Sequence, residues 1–313
     1  MRFNNVTIKG TGSYLPALAI PNSSIEEQAP TTDKWIYDNL GIWERRVAVD
    51  EDVSDLGAKA TLRALQDAGI DKEDLDLIIV ATSSPERISP STACTIHKKL
   101  DIKKNVPSFD VNAVCAGFVF AMATSAPLVS SGMYKNVLVI GTEAYSKITD
   151  YTHRNCVFFG DGAGAVVLGP SKTGWMASQL ESNGGGTGDT GFTCPLDGTY
   201  TTSPSQVWDQ AVKVLPVSIK SILKDNDLTP EDLALFVPHQ ASINMLKLIA
   251  TEVGIPHNKV KTVMHKYGNI AGASVPIALD EAKKEGKFKE GDTLLLTAIG
   301  SGWSWGSIVV NYG

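Results

Sequence analysis

One pattern of elements occurs twice along this chain, and it restricts the fold more than any single motif does. Around residues 57–84 the sequence runs from an amphipathic helix through the acidic turn Asp71-Lys72-Glu73-Asp74 into the apolar stretch Leu77-Ile78-Ile79-Val80. Shifted by 158 positions, Asn226-Asp227-Leu228-Thr229-Pro230-Glu231-Asp232 leads into Leu233-Ala234-Leu235-Phe236-Val237. The same shift sets the helix opening at Cys115 against Ala273, and Val137-Leu138-Val139-Ile140 against Leu295-Leu296-Thr297-Ala298. Near the end of the chain, Gly306-Ser307-Ile308-Val309-Val310 echoes Ala163-Gly164-Ala165-Val166-Val167-Leu168. A repeat of this kind marks a duplicated supersecondary unit. Near-continuous apolar strands alternating with helices predict mostly parallel sheets covered on both faces. The chain therefore reads as α/β, in two similar halves at about residues 1–170 and 171–313 that pack on each other.

Composition narrows the function classes. With 313 residues, 43% of them hydrophobic, the chain can bury a large core. It has no N-terminal signal pattern and no apolar run near the roughly 18 residues that span a bilayer, so a cytoplasmic protein without a membrane partner is expected. Its four cysteines (Cys94, Cys115, Cys156 and Cys194) form no CxxC pair and no metal-ligand spacing, which argues against a disulfide framework and a zinc site. A formal net charge of -6, with no basic run or basic-aromatic patch, offers no footprint for nucleic acid.

Cys115 is the candidate nucleophile. It lies in Asp110-Val111-Asn112-Ala113-Val114-Cys115-Ala116-Gly117-Phe118, where a strand-like run breaks through small residues into a helix start. The helix dipole and the free N–H groups of a first turn favour the thiolate, so the thiol pKa is expected to fall. A buried structural cysteine is the competing reading, because a free Cys packs as a small hydrophobe. Two later motifs favour the nucleophile. In Phe236-Val237-Pro238-His239-Gln240-Ala241-Ser242 an apolar strand ends in a histidine, and in Lys266-Tyr267-Gly268-Asn269-Ile270-Ala271-Gly272-Ala273-Ser274 a small-residue turn opens a helix. Each alone is weak, a satisfied histidine or a helix cap being commoner. Cys, His and Asn are also the set of papain-like proteases, but the local signature expected around such a cysteine is absent.

Taken in order, the motifs resemble those of the 3-oxoacyl-[acyl-carrier-protein] synthase III family, within the thiolase-like condensing enzymes. The resemblance runs nearly end to end: Gly10-Thr11-Gly12-Ser13-Tyr14-Leu15-Pro16, Thr32-Asp33-Lys34-Trp35-Ile36, Gly41-Ile42-Trp43-Glu44-Arg45-Arg46, the Cys115 run, Phe159-Gly160-Asp161-Gly162-Ala163-Gly164-Ala165, the His239 and Asn269 motifs, and Gly300-Ser301-Gly302-Trp303-Ser304-Trp305-Gly306. It implies a layered αβαβα thiolase-like fold with the active site at the junction of the halves. Cys115 would take the acyl group of an acyl-CoA, and a malonyl thioester, on CoA or on a carrier protein, would lose carbon dioxide and attack it. His239 and Asn269 would hold the enolate oxygen as neutral donors, and the backbone of Cys115 and Ser301 would form the oxyanion hole. Trp35 and Arg154 match the pair that sandwiches the CoA adenine, with Thr31 a nearby polar contact. Acyl-CoA and malonyl thioester are substrates in this scheme, with no resident cofactor or metal, and a homodimer is implied.

Several positions depart from the family's pattern. Ile270 follows Asn269 where a threonine is common, and Ser301 interrupts a triple glycine, with strain expected if that position needs a positive φ. Ser89, before Pro90, replaces a bulky residue that reaches the acyl pocket of the neighbouring subunit, so a longer or wider pocket is expected. Carrier-docking positions that tend to be basic are Asp209 and Asn244 here, and Asn39 replaces another frequent arginine. A divergent relative from specialised metabolism, using another acyl group or acceptor, and a non-catalytic subunit are the alternative readings. A degradative thiolase is disfavoured because its second cysteine lies in the C-terminal half, and the last cysteine here is Cys194. The segment from Ser182 to Ser205, without periodicity, reads as a long loop near the entrance, solvated or functional.

Overall fold

The computed structural model describes residues 1–187 and 191–313. The first half runs through β1 (Arg2–Tyr14), β2 (Leu18–Pro21), α1 (Asn22–Glu26), α2 (Asp33–Leu40), β3 (Glu44–Val47), α3 (Val53–Ala68), β4 (Leu77–Ala81), α4 (Thr92–Lys99), β5 (Ser108–Val111), α5 (Gly117–Ser130), β6 (Val137–Ala144) and into β7 (Asp161–Ser182). The second continues with β8 (Phe192–Thr193), β9 (Thr201–Thr202), α6 (Pro204–Lys224), β10 (Leu233–Pro238), α7 (Ile243–Val253), α8 (Met264–Tyr267), α9 (Ser274–Lys284), β11 (Thr293–Gly300) and β12 (Ser304–Asn311).

The strand pairing repeats between the halves, but the sheet is mixed rather than mostly parallel, because β7 runs antiparallel to β1, β6 and β12, and β12 antiparallel to β11. β4 pairs in parallel with β5 and β6, and β6 pairs antiparallel with β7. In the second half β10 pairs in parallel with β11, and β11 antiparallel with β12. The bridge between Phe236 and Val260 stands where β5 stands beside β4. β7 serves both halves: Asp161–Leu168 pairs with β6, and Trp175–Ser182 with β12. The boundary at residue 170 therefore falls inside one continuous strand.

Alternation along the strands explains the layers. Leu77, Ile79 and Ala81 of β4 face inward with Val137 and Val139 of β6, against α5, α9 and the inward face of the second half's strands. Ile78 and Val80 face outward with Leu138 and Ile140, under α3 and α4. In the second half Leu294 and Leu296 point inward while Leu295 and Ile299 meet α6 and α7. Both faces of these strands are covered, which is why they are apolar on both faces along most of their length. α5 is buried along most of its length between the strands of the two halves, which β7 joins into one eight-stranded sheet, and its side chains are accordingly apolar nearly all round. No helix among the described residues is long and apolar enough to cross a membrane.

The repeat is offset by one residue from the sequence reading at the helix starts. Short helical turns at Val114–Ala116 and Ala271–Ala273 precede α5 and α9. Ala116 has φ -83° and ψ -5°, and Ala273 φ -85° and ψ -12°. Val114 and Ala271 both take positive φ, 49° and 37°. The shift here is 157, so Cys115 matches Gly272 rather than Ala273. The helical turn before each helix, invisible to apolar periodicity, accounts for the slip.

Candidate active site

Each of the three candidate residues leaves the end of a regular element. His239 directly follows β10, and its backbone N–H donates to Thr297 O at 2.8 Å, extending the pairing with β11 to the point where the ring enters the cavity. Asn269 follows Gly268, whose φ of 68° with ψ of -160° suits glycine alone. Its backbone is held by Asn269 N to Phe158 O at 2.9 Å and Gly160 N to Asn269 O at 3.0 Å. Its side-chain Oδ1 accepts from Ala271 N at 2.8 Å, which leaves the NH2 end free to donate. Asn112 does the same for the turn ahead of Cys115, its Oδ1 accepting from Val114 N at 3.1 Å.

Docking of the halves joins these pieces. Gly300, at the end of β11, packs on the Cys115 turn so closely that a Cβ there would stand 2.2 Å from Ala113 O and 3.0 Å from Cys115 N. Reciprocally, a Cβ at Gly141 of β6 would stand 2.5 Å from Gly272 O. Cys115, His239, Asn269, Gly300 and Ser301 line one cavity of about 330 Å³, with Trp35 and Trp208 among its other walls. The thiol packs against an aromatic group built on Tyr145, Phe159 and Tyr200. Phe192 and Tyr200, stacked at 5.1 Å, come from the segment read as an entrance loop. That segment folds over the site as the β8–β9 pair; its residues 188–190 lie outside the described ones.

Electrostatics overturn one expectation. The Cys115 thiol is pushed up, not down, first by burial and then by the nearby Glu143 carboxylate, with only its own backbone N–H acting the other way. Burial lowers His239 to about 4, against a smaller opposing effect of the Ala271 backbone. The ring is therefore neutral at physiological pH, with Nδ1 buried and without a hydrogen-bond partner. Glu143 itself, fully buried, is raised by burial to about 7 although Ser83, Ser84 and Gly272 hydrogen-bond to it.

The remaining candidates divide. Trp35 is half-buried in the cavity wall, with the Arg154 guanidinium 4.3 Å above its ring. Asn39 and Asn244 meet at the rim, where Asn244 Nδ2 donates to Asp38 O and Asn39 O at 3.2 Å. Thr31 sits just ahead of α2 with a buried, unpartnered hydroxyl and does not line the cavity; Thr32 is the cap of α2, its Oγ1 accepting from Trp35 N at 3.1 Å. Asp209 is exposed on α6, and Ser89 is exposed and does not line the cavity of its own chain. Ser301 carries no strain, because the positive φ of that turn belongs to Gly302 at 110°. Its hydroxyl instead ties the covering segment down, accepting from Phe192 N at 2.8 Å and donating to Gly186 O at 3.2 Å. Ile270 fills the core beneath Asn269.

Sequence reasoning missed Glu143, Asn112 and the covering aromatics. Glu143 had a signal: a carboxylate in an otherwise apolar strand, on the inward face that Val137 and Val139 begin.

Comparison with known proteins agrees with this geometry. Residues 109–184 match the family model 3-oxoacyl-[acyl-carrier-protein] synthase III, and residues 223–312 match the model for the C-terminal part of the same family. A β-ketoacyl-[acyl-carrier-protein] synthase III of Clostridium acetobutylicum is 40% identical over 99% of both chains. The crystal structure of the 3-oxoacyl-[acyl-carrier-protein] synthase III of Aquifex aeolicus superposes with a TM-score of 0.95 at 38% identity, covering 98% of this chain and 100% of that one. A priming β-ketosynthase from a polyketide biosynthetic pathway superposes at 0.93 with 31% identity, over 99% and 97% of the two chains. With its thiolase-like architecture and its cysteine, histidine and asparagine gathered in one cavity, the chain belongs to the 3-oxoacyl-[acyl-carrier-protein] synthase III family.

Proposed function

We propose that this protein is an acyltransferase that joins an acyl-CoA primer to a malonyl thioester by decarboxylative condensation. The observation that carries the reading is the meeting of Cys115, His239 and Asn269 in one cavity walled at its rim by Trp35. Cys115 Sγ attacks the thioester carbonyl, and the backbone N–H groups of Cys115 and Ser301 hold the developing oxyanion. The tetrahedral intermediate collapses, CoA leaves with the thiol proton, and an acyl-cysteine remains. The malonyl thioester then loses carbon dioxide. Its enolate oxygen accepts from His239 Nε2–H and Asn269 Nδ2–H, and its carbon attacks the acyl carbonyl. Cys115 leaves as thiolate and regains a proton.

The neutral state of His239 supports its role as a donor rather than a base for the thiol. Trp35 with Arg154 is assigned to the CoA adenine, with Thr31 nearby. The substrates serve as the only small molecules in this scheme, with no cofactor or metal. Asn244 and Asn39 at the rim, with Asp209 exposed on α6, put no basic side chain at the docking positions, which supports malonyl-CoA or a non-standard carrier as the second substrate. Assembly as a homodimer is supported by β5, an edge strand with Phe109 40% exposed, and by Ile88, 77% exposed beside Ser89. Ser89 would then face the partner's acyl pocket.

The test is a panel of acyl-CoAs read by the mass of the intact protein. An acyl adduct on the unmodified chain that Cys115→Ala abolishes is expected. An adduct that survives this change means another nucleophile.

A further inference from the structure

Glu143 is fully buried, and the hydrogen bonds it accepts all come from neutral donors. Oε2 accepts from Ser84 Oγ at 2.5 Å and Ser84 N at 3.1 Å, and Oε1 from Ser83 Oγ at 3.0 Å. Ser83 N lies within reach of both oxygens, at 3.2 and 3.1 Å. These donors, together with Thr82 Oγ1 at 3.3 Å from Oε2, belong to the segment after β4. One more comes from the other half of the molecule: Gly272 N donates to Oε1 at 3.3 Å. Gly272 is pressed onto β6, since its carbonyl oxygen occupies the place a side chain at Gly141 would take. The repeat offers no second carboxylate for this job. Leu138 and Leu295 stand at matching registers beside the outward-facing Ile78 and Phe236, so Glu143 corresponds to Gly300.

We infer that Glu143 is a positioning residue for the condensation step, fixing through the Gly272 amide the turn that orients the Asn269 side chain. A primary amide can present either end to the cavity. Ala271 N–H, one residue before Gly272, binds Asn269 Oδ1 and so turns Nδ2 toward the substrate. An enolate oxygen requires that donor; the reversed amide would offer it lone pairs. Freeing the Gly272 turn removes the constraint on Ala271 and therefore on the direction of Asn269. Glutamine cannot replace Glu143 in this setting. Whichever way its amide points, its NH2 faces backbone N–H donors that the carboxylate oxygens now accept.

This inference rests on the condensing reading above, and the experiment separates the two. Glu143→Gln and, approaching the same contact from the other half, Gly272→Ala are assayed per folded molecule for acyl loading of Cys115 and for condensation with malonyl-CoA. A Cβ at Gly272 would stand 3.1 Å from Glu143 Oε1 and 3.3 Å from Val114 O, so the second variant displaces the turn without touching the carboxylate's chemistry. Each variant is expected to load at within about threefold of the unmodified rate and to condense at least about tenfold more slowly, through kcat rather than KM. In an Asn269→Ala background, Glu143→Gln should add less than about twofold, because residues acting through one another are not additive. Equal losses in both steps, or a Glu143→Gln loss that multiplies with that of Asn269→Ala, would overturn the assignment. No loading by the unmodified protein would overturn the condensing reading beneath it.

Discussion

Asn112 and Asn269 occupy matching places 157 residues apart, each accepting the backbone N–H two residues on through its Oδ1. One asparagine turn has thus been used twice. In the first half it shapes the backbone that presents Cys115; in the second the asparagine itself lines the cavity. The positive φ of Val114 and of Ala271, at the residue that donates in each case, is the backbone cost of the turn, and the hydrogen bond to asparagine holds it. His239 has no such partner in the first half and reaches the site from the end of β10.

The raised thiol pKa predicts slow, strongly pH-dependent alkylation. Iodoacetamide should modify the exposed Cys94 of the free protein at least as fast as Cys115. The Cys115 rate should still climb above pH 9.0, the ordinary thiol value. Peptide mapping after timed quenching measures both. A plateau near neutral pH at Cys115 would mean that the helix start outweighs burial.

Arg154 rests directly on Trp35 at 4.3 Å. A base inserted between them needs the two planes about 7 Å apart, twice a van der Waals contact. If the CoA adenine enters between them as proposed, Arg154 has to swing out first. Arg154→Ala and Trp35→Ala should each raise KM for acyl-CoA by roughly five- to tenfold and leave kcat for loading nearly unchanged, as expected for a cation-π and stacking contact of about 1 kcal/mol. Steady-state loading kinetics over a CoA series settle it, and a fall in kcat would place the pair nearer the chemistry.

Glu143 should leave a mark on stability. Its pKa rises from 4.5 to about 7 on folding, so the native state holds the extra proton and its contribution is complete below 4.5 and lost as the pH rises through 7. His239 acts oppositely, because its native value of about 4 lies below the ordinary 6.5 and its contribution is lost as pH falls. The difference in unfolding free energy between the unmodified protein and Glu143→Gln isolates the first effect. It should shift against the unmodified protein by about 3 kcal/mol between pH 4.5 and 7. Urea titrations across that range measure it, and a pH-independent difference would contradict the burial argument.

The rim predicts partner choice. Acidic carriers are steered by complementary charge, which sets on-rate and salt dependence. Asp209→Lys with Asn244→Arg should raise kcat/KM for malonyl carrier protein, with a gain that shrinks as salt is added, and barely change turnover of malonyl-CoA. Efficient, salt-sensitive use of the carrier by the unmodified protein would contradict this.

Most of the fold and the three central residues were legible because duplication and a strand-end histidine leave marks in one dimension. The offset at Cys115 was not, since a short helical turn adds a residue without changing the apolar pattern. The thiol's direction of shift was also hidden: the sequence shows a helix start, but not Glu143 brought beside it by β6 or the aromatic cover brought by Phe192 and Tyr200. Ser301 misled for a local reason. Which of three neighbouring residues takes a positive φ is decided by the turn, and the turn chose Gly302.

His239 and Asn269 are proposed to serve the malonyl half-reaction as neutral donors. Rapid-quench measurement of acyl loading and of malonyl decarboxylation in His239→Ala and Asn269→Ala tests it. Each variant should still load Cys115 while decarboxylation and condensation fall by roughly 10² to 10³. Equal loss of loading and condensation in His239→Ala would instead make His239 the base for the thiol, and an intact condensation rate in Asn269→Ala would remove Asn269 from the site.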